Sequence, residues 1–317
     1  MATLAPTFQR IYSAVARYLG LNTATMSATE LQMCMDAGND GYRAALYPLD
    51  PRTNQGYTWS FLQPEATLDL YADRDLIPKT AGSGGTIGTS VATFVASMVG
   101  AEVTGTTTAN VYEIAAYVSG KTAVLDSALV AGDTGGSCTI SANGLFALPA
   151  DFGSVLNDPS YGPNDIHGRL TPRSAAYLRG CYSGGGVTTG TPSAYTIVPL
   201  AFVAGTGQRY SMLVYPEPGA DYTMQYQYQV EPVGMSADGD YPMGGQMFGA
   251  LVMQAALSAA EQRENNRRGE QTDLYEKMLA AAIDADKRNK PQSLGPIEDP
   301  SDEMADWQRV LGDVEYP

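Results

Sequence analysis

The hydrophobic period of this chain switches twice, from 3.6 residues to 2 and back to 3.6, and that order limits the folds open to it. In residues 1–47, Phe8, Ile11, Tyr12, Val15, Tyr18 and Leu19 recur at helical spacing, and Gly20 is placed to stop the helix. Ser27-Ala-Thr-Glu30 has the spacing of a capping box. Leu31, Cys34, Met35, Gly38, Tyr42 and Ala45 then line one side of a second helix, which Tyr47-Pro48 ends. The helical period returns from Gln246 to about Asn289. Met247, Leu251, Ala255 and Ala259 form one stripe there, and Tyr275, Met278, Leu279, Ala282 and Ile283 a second. An unbroken helix of that length would be roughly 66 Å long, so a break is expected at Asn265 to Gly269. Short amphipathic helices are not stable alone in water. Both ends of the chain are therefore expected to share one helical layer.

Between them the pattern is that of strands. Gly56 to Leu62 alternates and is aromatic, which predicts a strand start, and Ala66 to Tyr71 alternates again. Val91–Val103, Asn110–Val118, Ala123–Val130 and Ser137–Leu145 are short runs rich in Val, Thr and Ala with turn residues between them. Thr171 to Leu178 predicts a short helix with Pro172 at its first position. Ala194–Ala204, Gln208–Tyr215 and Tyr222–Val230 predict three more strands. In the last, Tyr222, Met224, Tyr226, Tyr228 and Val230 share one face. No helical connection long enough for a parallel sheet intervenes between residues 56 and 145. The reading is α+β: N- and C-terminal helices forming one helical bundle, an inserted antiparallel β-rich domain, and an extended acidic C-terminal arm. The expected boundaries are 1–55, 56–240, 241–290 and 291–317, with 80–145 an added β module.

The chain has 317 residues, with 19 Lys and Arg against 34 Asp and Glu, for a net charge of −15. A general nucleic-acid grip or a dedicated anionic-membrane contact needs the opposite balance. Cys34, Cys138 and Cys181 are odd in number and widely spaced, so neither a disulfide framework nor a cysteine metal site is expected, and a reducing cytosol suits them. No signal peptide is expected from Met1-Ala-Thr-Leu-Ala-Pro, and no membrane span, since no run of 18 apolar residues occurs.

Candidate chemistry is sparse. His167 is the only histidine and reads as a loop or interface residue. The stretch Gly82 to Ser90 lacks the lysine of a phosphate-binding loop and reads as a turn. Asp69, Asp73 and Asp75 lack the glycine and final glutamate of a calcium loop. No catalytic residue, cofactor or metal is expected. Arg263, Arg267, Arg268, Lys277, Lys287, Arg288 and Lys290 are 7 of the 19 basic residues and precede the acidic arm. They read either as i,i+4 partners of Glu261, Glu264, Glu270 and Glu276, or as a basic surface that meets an acidic arm across a subunit boundary. The arm carries Trp307, Val310, Leu311 and Tyr316, and a purely solvating tail has little use for a tryptophan.

Several short segments carry a resemblance. Tyr57-Thr-Trp-Ser-Phe-Leu62, Leu148-Pro-Ala-Asp-Phe-Gly153, Tyr195, Val214-Tyr-Pro-Glu-Pro-Gly-Ala-Asp-Tyr222 and Gln227-Tyr-Gln229 resemble the head-to-tail adaptor or connector proteins of the tailed-bacteriophage neck, related to tubular gatekeeper proteins. The resemblance covers roughly residues 8–285. It implies a non-enzymatic virion protein, assembled in the host cytoplasm as a twelve-subunit ring under the portal protein, with the tail or next neck protein below. It implies that double-stranded DNA leaves through the lumen, which an acidic wall would not hold, and that the C-terminal arm docks on the portal. Arg263, Arg267, Arg268, Lys287, Arg288, Trp307, Val310, Leu311 and Tyr316 are the residues expected at portal and inter-subunit contacts. A tail-tube or head-decoration protein is the runner-up. A virion-associated glycan hydrolase comes third, and would need two carboxylates across a cleft.

Overall fold

A computed structural model describes residues 5–78, 80–81, 85–130, 133, 136–162, 167–183, 188–202, 207–265 and 269–289. The helices among them are α1 (Phe8–Tyr18), α2 (Ala28–Leu46), α3 (Ala175–Ser183), α4 (Gly245–Asn265) and α5 (Glu270–Asn289). The chain divides into two compact units, residues 1–60 with 234–317, and residues 61–233.

In the first unit the two ends of the chain form one helical bundle, with α4 against α1, α2 and α5. Local signals set the limits of each helix. Thr7 caps α1 through a hydrogen bond to the Arg10 N–H. Gly20, at φ 72°, stops it, with the Gly20 and Leu21 amides returning to Arg17 and Ala16. Ser27 and Glu30 form both bonds of the capping box on α2. Phe8, Ile11, Val15, Cys34, Ala45, Val252, Ala256 and Ile283 are buried in the core. Gly41 lets α2 approach α4 closely, because a Cβ there would fall on the backbone of Ala255 and Ala256. Residues 234–244 are pinned to the bundle. The Asn39 side chain exchanges two 3.0 Å bonds with the Met235 backbone, and Tyr12 donates to Asp238 at 2.8 Å.

The second unit is β-rich and, apart from two short parallel pairs, antiparallel. The nine-residue strand Tyr222–Val230 pairs with Glu65–Leu70 in the register Glu65↔Gln227 to Leu70↔Tyr222. Phe152–Val155 and Ser160–Tyr161 also pair with it. Ala194–Pro199, Tyr210–Tyr215 and Leu145–Ala147 belong to another sheet, on which α3 packs. A seven-stranded sheet holds residues 74–76, 80–81, 86–88, 102–105, 111–119, 122–125 and 138–141. Asp133 is fully buried in it and accepts from the Thr108 hydroxyl at 2.5 Å and the Tyr112 hydroxyl at 2.9 Å.

Four sequence expectations need correction. Gly56–Leu62 is not a strand: it contains an isolated bridge at Gly56 and a 3-10 turn, and its aromatic residues Tyr57 and Trp59 pack into the helical unit. Val91–Val103 is a strand only from Glu102, because a 3-10 turn over Ala96–Met98 precedes it. Pro172 does not open α3. It pairs with Tyr195 in a two-residue strand, and the Ser174 hydroxyl accepts the Tyr177 N–H at the helix start instead. The buried stripe of α4 starts at Phe248 rather than Met247, which is exposed, because Phe248 meets Trp59 and Tyr42.

Candidate functional site

The last turns of α5 are wired to the segment that follows α2. Arg52 grips Asp284 with two bonds of 2.9 and 2.8 Å. Tyr57 donates to Asp286 at 2.6 Å, and the Ser60 hydroxyl and N–H donate to the same carboxylate. Trp59 stands between these groups and the core, donating its indole N–H to the Ala45 carbonyl at 2.8 Å and packing edge-on to Phe248. Lys287 bonds to Asp50 at 3.1 Å and lies 5.5 Å from the Tyr57 ring centroid. Burial, and then the bond to Asp286, push the Tyr57 hydroxyl well above its ordinary pKa. The Arg52 N–H, then Lys287, hold the Asp50 carboxyl below its own. These contacts tie the last turns of α5 to residues 50–60.

The sequence-derived site residues fall as follows. Arg263 pairs with Asp40 of α2 and donates to the Met33 carbonyl. Lys287 pairs with Asp50, and Arg288 donates to the carbonyl of Asp284. Arg263 and Lys287 remain 42% and 49% exposed in these pairs. The two pairs join separate elements and do not form one cluster. Arg267, Arg268, Lys290, Trp307, Val310, Leu311 and Tyr316 lie outside the described residues. At the other end of α5, the buried carboxylate of Glu261 accepts from the N–H groups of Gln271 and Thr272 at 3.3 and 3.0 Å. No local pattern announces that role, since the spacing of Glu261 suits an ion pair equally well.

Sequence reasoning passed over a second feature. From Ile166 to Pro216 the chain has no Asp or Glu, yet it holds Arg169, Arg173, Arg179 and Arg209. Arg169, Arg173 and Arg179 are exposed, and no side-chain hydrogen bond or ion pair engages them among the described residues. The missing acids were the available signal.

Groups that suggest chemistry have local partners. His167 is exposed, 3.4 Å from the Thr191 hydroxyl and beside the Tyr161 ring. Asp69 accepts from Thr223, Asp73 from the Ala142 N–H and Asp75 from Thr139. Among the described residues no three His, Cys, Asp or Glu side chains are grouped to hold a metal ion, and no helix is long and apolar enough to cross a membrane.

The fold is a helical bundle built from both ends of the chain, with paired charges at its helix ends, and a β-rich unit between them in the sequence. The sequence model of one family, described as SU10 adaptor protein, matches residues 98–297, and the chain belongs to that family. It is a family of tailed-phage head-to-tail adaptors, and the role is that of a structural connector. No curated protein matches the chain significantly.

Proposed function

We propose that the chain is one subunit of a closed ring of about twelve copies that joins the portal to the tail in the virion neck and surrounds the DNA exit channel. The match to the adaptor family over residues 98–297 carries this reading. The wiring of Asp284, Asp286 and Lys287 to residues 50–60 supports it, since it holds the last turns of α5 on the helical unit. In this reading Arg263, Arg267, Arg268, Lys287 and Arg288 face neighbouring chains. Trp307, Val310, Leu311 and Tyr316 anchor the arm on the portal, as buried aromatic anchors do at specific interfaces. The net charge of −15 suits a lumen that lets DNA slide.

The test is negative-stain imaging and sedimentation of the full chain, alone and mixed with portal. The expected result is a ring of defined copy number, formed alone or on the portal. A chain that stays monomeric and leaves the portal bare would sink the proposal.

A further inference from the structure

The helical unit's Arg52, Arg263 and Lys287 have carboxylate partners within their own chain. Positive charge without a carboxylate partner among the described residues also lies around α3, where no acid is near in sequence. Arg169, Arg173 and Arg179 fall within eleven consecutive residues, all exposed, in a stretch of 51 residues without an acid. Tyr177, 59% exposed, stands among them. Arg179 also lines a groove of about 680 Å³, whose wall includes Leu145, Val198, Leu200 and Leu213. Its floor is firm: Leu178, Ala194 and Leu213 are buried together, and Tyr182 packs on them while donating to the Val214 carbonyl at 2.5 Å. Glu217 is the one carboxyl on the groove wall. It is buried, and burial, with Asp73 nearby, raises its pKa toward the neutral form. The surface therefore offers an apolar slot with arginines that no described group neutralises.

The chain itself contains a segment of matching chemistry. After Asn289, where α5 ends, come 28 more residues. Their first part holds Leu294 and Ile297, then Glu298, Asp299, Asp302 and Glu303, with no basic residue from Pro291 to Trp307. Fourteen residues of extended chain reach at most roughly 50 Å, enough to leave one subunit for the next. We propose that Leu294–Glu303 of one copy docks on the α3 surface of a neighbouring copy, with Leu294 and Ile297 in the groove and the carboxylates against Arg169, Arg173 and Arg179. This inference rests on the ring reading above. It leaves residues from Trp307 onward for the portal. Duplex DNA is the competing occupant for three arginines, but the acid surplus of the chain opposes it.

A photo-reactive residue at position 177 of the full-length chain tests the docking, in rings assembled from equal amounts of light- and heavy-isotope protein, with portal where assembly needs it. The expected cross-link joins α3 to the tryptic peptide 289–309, with mixed-isotope pairs marking contact between copies. Arg173→Glu with Arg179→Glu should cut its yield at least tenfold without changing the circular dichroism or melting of the subunit, and Glu298→Arg with Asp302→Arg should restore it. Leu294→Ala with Ile297→Ala should lower it as well. Normal rings without this cross-link, cross-links only within one copy, or capture of duplex DNA by the probe would each overturn the docking while leaving the ring standing. Absence of any ring, with or without portal, would remove the proposed function and the docking with it.

Discussion

Gly269 stands at the N-cap of α5 and has no side chain to offer, so the carboxylate of Glu261, one helix earlier, accepts the free amides of Gln271 and Thr272. Any Cβ at residue 269 would overlap that carboxylate. Burial alone would raise the Glu261 pKa, but the amide and hydroxyl bonds outweigh it and hold the group below the ordinary value of 4.5. A depressed carboxyl pKa contributes stability that is fully present above the unfolded value and is lost as pH falls through the folded one. Glu261→Gln should therefore cost about 1 kcal/mol at pH 7, the worth of one cap. That deficit should shrink below pH 4.5, and thermal melts at pH 7 and pH 3.5 check it. An equal deficit at both pH values would show that the charge is irrelevant. Asp133 shifts in the same direction, through the Thr108 hydroxyl first and Tyr112 after it, so acid should loosen the seven-stranded sheet as well. Two other buried groups carry the opposite lesson. The hydroxyls of Tyr71 and Tyr226 are buried and have no hydrogen-bond partner among the described residues. Removing an unsatisfied hydroxyl relieves a desolvation cost, so Tyr226→Phe should leave stability unchanged or raise it by up to about 1 kcal/mol. A loss larger than that in urea titration would reveal a partner, such as a bound water.

At the scale of elements, the contact between α2 and α4 depends on small residues. Gly41 faces Ala255 and Ala256, and Gly38 lies under the Phe8 ring. Gly41→Ala should force the helices apart and cost about 1–3 kcal/mol, as overpacking does, although alanine is the better helix former. A melting temperature equal to that of the unmodified chain would mean that the helices separate freely. The elements themselves were largely legible in the sequence. The capping box at Ser27 and Glu30, the stop at Gly20 and the alternation of Tyr222–Val230 are local signals, and local signals survive in one dimension. Pairings across long separations do not. Nothing in Tyr57-Thr-Trp-Ser60 says that its hydroxyls meet Asp286, more than 220 positions away, so its alternation read as a strand. The basic residues of the C-terminal helices were legible as a group because they are scarce. Their partners Asp40 and Asp50 were not, since any of 34 acids fits an ion pair equally well on paper. The Arg169–Arg179 surface was hidden for a different reason: its signal is a run of absent residues.

For the whole molecule, charge decides what the protein can hold. The unit of residues 61–233 has 7 basic and 14 acidic side chains, and the rest of the chain 12 and 20, so the net −15 splits into −7 and −8. Neither unit is a basic module. The arginines around α3 are a local exception, in a stretch of 51 residues without an acid, and their capacity is small. If Arg169, Arg173 and Arg179 each held a phosphate, binding would fall with salt at a logarithmic slope of only about −2.7. The full-length protein should therefore show no retention of duplex DNA in filter binding at physiological salt up to about 100 μM. Replacing all three arginines by alanine should change nothing in that assay. Micromolar retention, lost in the triple variant, would mean that the α3 surface grips DNA. Retention unaffected by the variant would place the grip on other basic residues of the chain, with Lys79, Arg267, Arg268, Lys290 and Arg309 among them.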